Sequence, residues 1–432
     1  MSMALIGVVL LLIFMFTGVP ILVAFLLTMM YFIWAGGYDP SFLMPYGFSK
    51  VDTIVFLALP MFIIAGALME NAGIAGRLVN AGNKLLGKVH GGLCILAVLA
   101  SAVFAAISGS AMATVSCIGS ILGPRMIKAG YPRGMTAALL AASGVLGLLI
   151  PPSVLMIIYS WLSHASVLRC FLSSVIPGFM VMFGLIVTSL IMLRHCDTIQ
   201  KYIPEKTGKE EEKKQRDGGI IPALIMPIII LGGIYSGLFT ATEAATVSCI
   251  YAIFVGFFVY KELTVKKMTK TLYDAGVTTG VVMACGLGTC SLGRAFVNEN
   301  LHLQVLDMLR SLSDNPTVIL LMMNLIVIIL GMLMDDDAVV LLTIPILAPM
   351  ASAIGVDLTH FAAIIGVNIA MANISPPAAP VLYLSGRIMN VPANEMFVPV
   401  TIYLVVVFAP ILLLTVFFPQ LALWLPNLVL GA

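Results

Sequence analysis

The sequence predicts an all-α polytopic membrane protein built as an inverted structural repeat, with two re-entrant hairpins and two broken helices. Three observations carry that prediction. The chain of 432 residues is 61% hydrophobic and only 10% charged, against roughly 25% charged in soluble domains. Apolar runs long enough to cross about 30 Å of hydrocarbon recur without period-2 alternation, and lipid requires each run to pair its own backbone groups, which selects helices. The sequence is also written twice. A shift of 225 residues carries Pro124 onto Pro349, Gly130 onto Gly355, Ala137-Ala138 onto Ala362-Ala363 and Pro151-Pro152 onto Pro376-Pro377, and needs no gap. Ser110 then lands on Asp335.

Residues 1–193 are read as the first repeat. Met3–Trp34 is apolar but broken at Thr17-Gly18-Val19-Pro20, giving two short spans or one kinked helix. With no basic segment ahead of it and no small-residue cleavage site, it reads as a retained span and not a signal peptide. Asp39–Asp52 reads as a polar connector and Thr53–Glu70 as a span carrying Pro60. In Ile74–Val89, Ile74, Leu78, Ala81 and Leu85 share a helical face beside Arg77, Lys84 and Lys88, the pattern of a helix lying in the interface. Residues 93–122 form the first hairpin, two short apolar arms about the polar turn Ser108-Gly109-Ser110. Residues 135–162 form the first broken helix, interrupted at Ser143-Gly144, Gly147 and Pro151-Pro152; Phe171–Leu193 is a further span. Residues 194–218 form a solvated cytoplasmic linker with the run Glu210-Glu211-Glu212-Lys213-Lys214.

Residues 219–432 repeat the plan. Ile220–Ser236 and Ala241–Tyr260 are spans, Lys261–Lys270 is basic and Ala275–Leu292 is glycine-rich and apolar. Leu301, Val305, Leu309 and Leu312 form a second amphipathic stripe. Residues 317–347 form the second hairpin, with Asp335-Asp336-Asp337 at its tip, and residues 361–385 the second broken helix, through Asn373-Ile374-Ser375-Pro376-Pro377. Val398–Leu425 closes the chain.

Charge gives an independent check on the inversion. Placing both ends of the first hairpin in the cytoplasm puts 18 of the 22 Lys and Arg there, leaving only Lys50, Arg169, Arg294 and Arg310 outside. The connector after hairpin one has three basic residues and its counterpart Ala351–His360 has none, so the repeats enter from opposite faces. The net charge of +2 carries no message about nucleic acid. The seven cysteines lack C-x-x-C spacing and read as small apolar packers, and the five histidines read as hydrated residues at span ends or in connectors.

Breaking a helix inside the membrane frees carbonyls at one half-helix end and N–H groups at the other, with partial charges of about −0.5 and +0.5. The carbonyl ends suit a small hard cation and the N–H ends a carboxylate. One expected Na⁺ site is Ser108, Gly109 and Ser110 with Gly144, Gly147 and Ile150; the other is Met334, Asp335 and Asp336 with Asn373 and Ser375. The substrate-facing positions are expected at Ser110, Ala111, Pro151, Pro152, Asp335, Pro376 and Pro377. Glu243 is placed to cap or pair locally. No catalytic residue is assigned. An aspartyl hydrolase needs a second facing carboxylate and a serine hydrolase a base beside Ser108 or Ser110, and the spans supply neither.

Ala106-Ile107-Ser108-Gly109-Ser110-Ala111, Leu59-Pro60-Met61-Phe62-Ile63-Ile64-Ala65-Gly66, Gly232-Gly233-Ile234-Tyr235-Ser236-Gly237 with Thr242-Glu243-Ala244-Ala245, and the two Pro-Pro breaks resemble the large membrane subunit (DctM type) of TRAP transporters over essentially the whole chain. The resemblance implies an elevator-type transporter in a bacterial or archaeal cytoplasmic (inner) membrane. It further implies coupling to Na⁺ with no other cofactor, a small four-helix membrane subunit (DctQ type), and a periplasmic solute-binding protein (DctP type). The implied substrates are small organic anions such as C4-dicarboxylates, 2-oxo acids or sialic acid. The alternative is a stand-alone sodium/divalent-anion symporter of related fold without a binding protein. The sequence departs from the family pattern at Thr114, where an Asp is common, at Asp335-Asp336-Asp337, and at Ser375-Pro376-Pro377-Ala378-Ala379-Pro380.

Overall fold

The computed structural model describes residues 3–87, 89, 91–194, 219–377 and 379–431, and among these it is all helical. The linker expected at 194–218 lies outside them except for Arg194. Ten helices make up the first repeat: α1 (Met3–Phe16), α2 (Ile21–Gly36), α3 (Pro40–Val51), α4 (Ile54–Asn71), α5 (Ile74–Leu86), α6 (Gly92–Ser108), α7 (Ala111–Lys128), α8 (Arg133–Leu148), α9 (Val154–Ser163) and α10 (Val167–Leu193). The second repeat contains α11 (Ile221–Tyr235), α12 (Ala241–Val259), α13 (Val265–Asn298), α14 (Leu301–Arg310), α15 (Pro316–Gly331), α16 (Asp336–Ala353), α17 (Leu358–Ala372), α18 (Pro380–Met389), α19 (Ala393–Phe417) and α20 (Gln420–Leu430). Adding 225 to both bounds of α7 gives the bounds of α16. By length and composition α10, α12, α13, α16 and α19 could each cross a membrane.

The break at Thr17–Pro20 makes a tight helical hairpin and not a kinked rod. Gly7 lies against the Phe32 ring and Gly36 against Met3, which only antiparallel helices allow. Its counterpart is α11–α12, where the Tyr251 hydroxyl donates to Pro222 O at 2.9 Å. The turn between them ends in a capping box. Thr240 N donates to Glu243 Oε2 at 2.8 Å and Glu243 N to Thr240 Oγ1 at 3.2 Å, so Glu243 satisfies the first turn of α12.

Four sequence expectations need correction. The connector expected at Asp39–Asp52 is the helix α3. Pro40 at its first position has no N–H to lose, and the Asp39 carboxylate accepts from Ser41 N at 2.8 Å. The interfacial stripe of α5 is rotated: Ile74, Ala75, Leu78 and Val79 are buried, whereas Leu85 is exposed and Arg77 is buried. On α14, Leu301, Leu306 and Leu309 are buried and Leu312, beyond its end, is exposed. His360 is not a hydrated connector residue either: it is buried, with Nε2 2.7 Å from Thr415 O.

The repeats interlock by exchanging halves. The second half of broken helix one, α9, packs on the second arm of hairpin two, α16; in the same way α18 packs on α7. Inside the first repeat α6 packs on α7 and α8, and inside the second α15 packs on α16 and α17. One hydrophobic core therefore runs through both repeats, while α1, α2, α13 and α14 share a smaller one around Phe25, Phe32 and Phe296.

Arg77 ties the repeats together a second time. Its Nη1 reaches Glu262 Oε1 at 2.7 Å and Gly73 O at 3.0 Å, and its guanidinium lies 3.8 Å from the Tyr260 ring centroid. Removing one partner of such a pair strands the other in a buried setting. Glu262→Gln is expected to cost about 1–3 kcal/mol. Thermal unfolding of the detergent-purified chain should show a midpoint several degrees lower, and an unchanged midpoint would count against the pair.

Candidate functional site

Hairpin one turns through two residues because Gly109 adopts a left-handed conformation (φ 62°) that ends α6, while Ser110 caps α7. Broken helix one tightens into a 3-10 turn over Val145–Leu148, then bends through cis Pro151-Pro152, and only Ser153 is extended before α9 begins. Tip and break meet directly. Val154 N, at the start of α9, donates to Gly109 O at 3.2 Å. A Cβ at Gly109 would stand 2.6 Å from Pro152 O, and one at Gly147 2.6 Å from Ser110 O. A Cβ at Gly66 of α4 would be 3.0 Å from Ser108 O, so α4 closes the tip from a third side.

Four helix ends thus converge: the carbonyl ends of α6 and α8 and the N–H ends of α7 and α9. The two signs of partial charge lie side by side in a place too tight for a methyl group. Of the expected residues, Ser108, Gly109, Ser110, Ala111, Gly144, Gly147 and Pro152 are brought together by these contacts, with Gly144 3.4 Å from Ala111 O when given a Cβ. Ile150 and Pro151 lie in the bend that follows, where Ile150 N still closes a last helical turn by donating to Leu146 O at 2.8 Å.

Hairpin two meets broken helix two in the same way. A Cβ at Gly331, the end of α15, would lie 2.6 Å from Ala372 Cβ, the end of α17. Val381 N donates across the break to Asn373 O at 3.3 Å, and Ser375 Oγ to Met371 O at 2.8 Å. Asp335 is the N-cap position of α16 and Asp336 its first residue. Met334 and Asp335 line a cavity of about 250 Å³ together with Met15, Phe16, Val19 and Ile21 of the α1–α2 turn. Pro376-Pro377 is cis, like Pro151-Pro152.

The structure adds hydrogen-bond partners around the tips and breaks that the sequence reading did not assign. Thr114 Oγ1 donates to Ser110 O at 2.7 Å and lies 3.3 Å from Ser108 Oγ, so a hydroxyl locks the tip. Ser101 and Ser143 pair at 3.1 Å between α6 and α8. In the second repeat Asn368 Nδ2 donates to Asn324 Oδ1 at 2.7 Å between α17 and α15. The Asn373 side chain is fully buried with neither its Oδ1 nor its Nδ2 partnered, and Asn368 Oδ1 is likewise unpartnered. A buried amide without partners marks a place that a ligand or ordered water completes. Asparagines inside apolar runs were the available signal.

Against known proteins, residues 8–421 match the family described as tripartite ATP-independent periplasmic transporter, DctM component. The chain is 34% identical to the sialic acid TRAP transporter large permease protein SiaM of Vibrio cholerae, covering 88% of each chain. It is 32% identical to the C4-dicarboxylate TRAP transporter large permease protein DctM of Pseudomonas aeruginosa, again over 88% of each. Among solved structures the YdaH transporter of Alcanivorax borkumensis superposes with a TM-score of 0.63 at 14% identity over 84% of each chain, a likeness of fold.

The close approach of tip and break is directly testable. Gly147→Ala places a methyl group against the Ser110 carbonyl, which is backbone and cannot swing aside. The variant should lose about 1–3 kcal/mol of stability, read as a lower thermal unfolding midpoint of the detergent-purified chain. Gly119→Ala, whose added methyl would meet only Val115 Cγ1 at 3.8 Å, should not. Equal midpoints for the two variants would show that the tip and the break do not meet as closely as this.

Proposed function

The chain belongs to the DctM component family of tripartite ATP-independent periplasmic transporters, and from that premise we propose that it is the large permease subunit of a Na⁺-coupled, binding-protein-dependent importer of small organic anions. The observation that carries the proposal is the convergence of the α6, α7, α8 and α9 ends around Gly109 and Gly147. Carbonyl ends suit Na⁺, and N–H ends a few ångströms away suit the carboxylate of a substrate. The two Na⁺ sites are assigned to Ser108, Gly109, Ser110, Gly144, Gly147 and Ile150, and to Met334, Asp335, Asp336, Asn373 and Ser375. The glycine cradle of the first fits a cation held by backbone and hydroxyl oxygens, and the second adds the carboxylates of Asp335 and Asp336 to the unpartnered Asn373 amide.

Binding of Na⁺ offsets the carbonyl ends and leaves the N–H ends of α7 and α9 to hold an anion. Inward movement of one positive charge through 100 mV is worth about 2.3 kcal/mol, so two or three ions drive an anion strongly uphill. In the elevator reading, the interlocked unit formed by α6–α9 and α15–α18 moves as one body, because the swapped halves leave no seam within it. The partners are a four-helix DctQ-type subunit and a periplasmic DctP-type binding protein. Relatives carry names for sialic acid, C4-dicarboxylate and isethionate, which share an acidic group and differ in size.

Reconstitution of the chain with its small subunit in proteoliposomes tests the proposal. Uptake of labelled sialic acid, succinate or pyruvate should need both an inward Na⁺ gradient and the loaded binding protein. Uptake indifferent to the Na⁺ gradient would overturn the coupling, and uptake by the chain alone would overturn the partners.

A further inference from the structure

One element of the repeat occurs here in two shapes. A shift of 227 residues carries Asn71, the last residue of α4, onto Asn298, the last of α13, and Ile74, the first of α5, onto Leu301, the first of α14. Gly73 and Asn300, both left-handed, coincide under it, as do Gly66 and Gly293. Helix α13 is therefore the counterpart of α3 and α4 together. Yet α3 and α4 meet at a bend of 57°, whereas α13 runs unbroken through 34 residues. The bend falls at Asp52-Thr53, between α3 and α4, and the shift carries those positions onto Thr279-Gly280.

The α13 sequence is poorly suited to a straight helix at that point. Gly276 and Gly280 stand one turn apart, and glycine is the weakest helix former after proline. A Cβ at either would meet nothing within 4 Å, so packing does not require them to be small. By contrast, a Cβ at Gly286 would lie 3.1 Å from the Trp161 ring and one at Gly288 3.2 Å from Phe25. Thr278 Oγ1 donates back to Asp274 O at 3.1 Å, a bond that loosens and bends helices. Thr279 Oγ1 is shielded from solvent without a hydrogen-bond partner. A threonine hydroxyl at a helix start caps the first turn, and this one has nothing to cap while α13 is continuous.

Burial divides α13 at the same place. Beyond Gly280 the helix is held: Val282, Cys285, Leu292 and Phe296 are buried, and α2, α9 and α16 reach it at Gly288, Gly286 and Gly293. Before Gly280, Leu272, Tyr273, Asp274 and Val277 are all exposed. Asp274 stands about 9 Å before Gly280 at 1.5 Å per residue, and Lys266, Lys267 and Lys270 precede it. Once bent, this charged segment would lie in the membrane interface as an amphipathic helix.

We propose that α13 is a hinged helix. In a second state it bends at Thr279-Gly280, with Thr279 capping its second half, and takes the shape that α3 and α4 have in this one. Two copies of one element in two shapes are two accessible states of that element. The proposal rests on the import reading only for what drives the bend.

Pulsed electron–electron distance measurement on the full chain in liposomes tests it, with spin labels carried by an unnatural keto amino acid at positions 267 and 297 so that the native cysteines stay. A straight α13 holds these positions about 45 Å apart. A bend like that of α3 and α4 adds a second population about 6 Å shorter, on the same rise per residue. The short population should fall about tenfold in the double variant Gly276→Ala, Gly280→Ala. That variant should unfold no earlier than the parent, because both methyl groups enter open space. Thr279→Ser should keep the short population and Thr279→Val should shrink it severalfold. A single distance near 45 Å in both Na⁺ and choline buffers would overturn the hinge. So would a short population that survives the double variant, and equal populations in the Ser and Val variants would overturn the cap. Uptake plays no part in the readout, so failed Na⁺ coupling would leave a hinge standing, and a rigid α13 would leave the import reading standing.

Discussion

A helix interrupted inside hydrocarbon leaves amides and carbonyls that water cannot reach, and each stranded group costs kilocalories unless the protein supplies a partner. The first repeat meets that requirement by pressing a hairpin tip onto the break. Gly109 O accepts from Val154 N, Ser110 O accepts from Thr114 Oγ1, and Ser153 Oγ donates to Leu148 O. Glycines at 66, 109 and 147 make the approach possible, because a methyl group at any of them would meet backbone oxygen. Only part of the freed polarity is consumed in this way. The helix ends that remain set partial charges of both signs side by side, which is what the proposed cation and anion sites require.

The two repeats solve the problem with different chemistry. Tip one offers hydroxyls and backbone, with Ser108, Ser110 and Thr114 arranged around Gly109. Tip two offers carboxylates at 335–337 beside a break that contains the unpartnered Asn373 amide. The exchange of halves, α9 onto α16 and α18 onto α7, means that neither tip can shift without disturbing the other repeat. Packing of this kind would carry a shift at one tip to the other. Arg77 and Glu262 add a polar tie between the α5 helix and the α12–α13 connection, outside that unit.

Much of this was legible in the sequence because glycine and proline punctuate it. The 225-residue shift found the hairpins and both broken helices, and the bounds of α7 and α16 obey it residue for residue. Helix α3 was missed because its polar residues outweighed the Asp39-Pro40 start signal, and a helix resting against α13 needs no long apolar run. The α5 face was misread because Arg77 has its partner 185 residues away, a pairing no local periodicity reveals. The same holds for His360 and the Thr415 carbonyl, and for the Asn324–Asn368 pair between α15 and α17. Local signals located the breaks; the contacts that fill them are non-local and needed the fold.

Hydrogen exchange at the tip tests most directly whether the helix ends of the first repeat hold a cation. Peptides spanning 105–115 and 145–156 would be followed by mass spectrometry in matched Na⁺ and choline buffers, with 116–128, beyond the first turn of α7, as an internal reference. Binding of Na⁺ between the ends of α6 and α8 predicts slower exchange in both tip and break peptides in Na⁺ alone, with the rest of α7 unchanged. Identical exchange of both peptides in the two buffers would contradict the account.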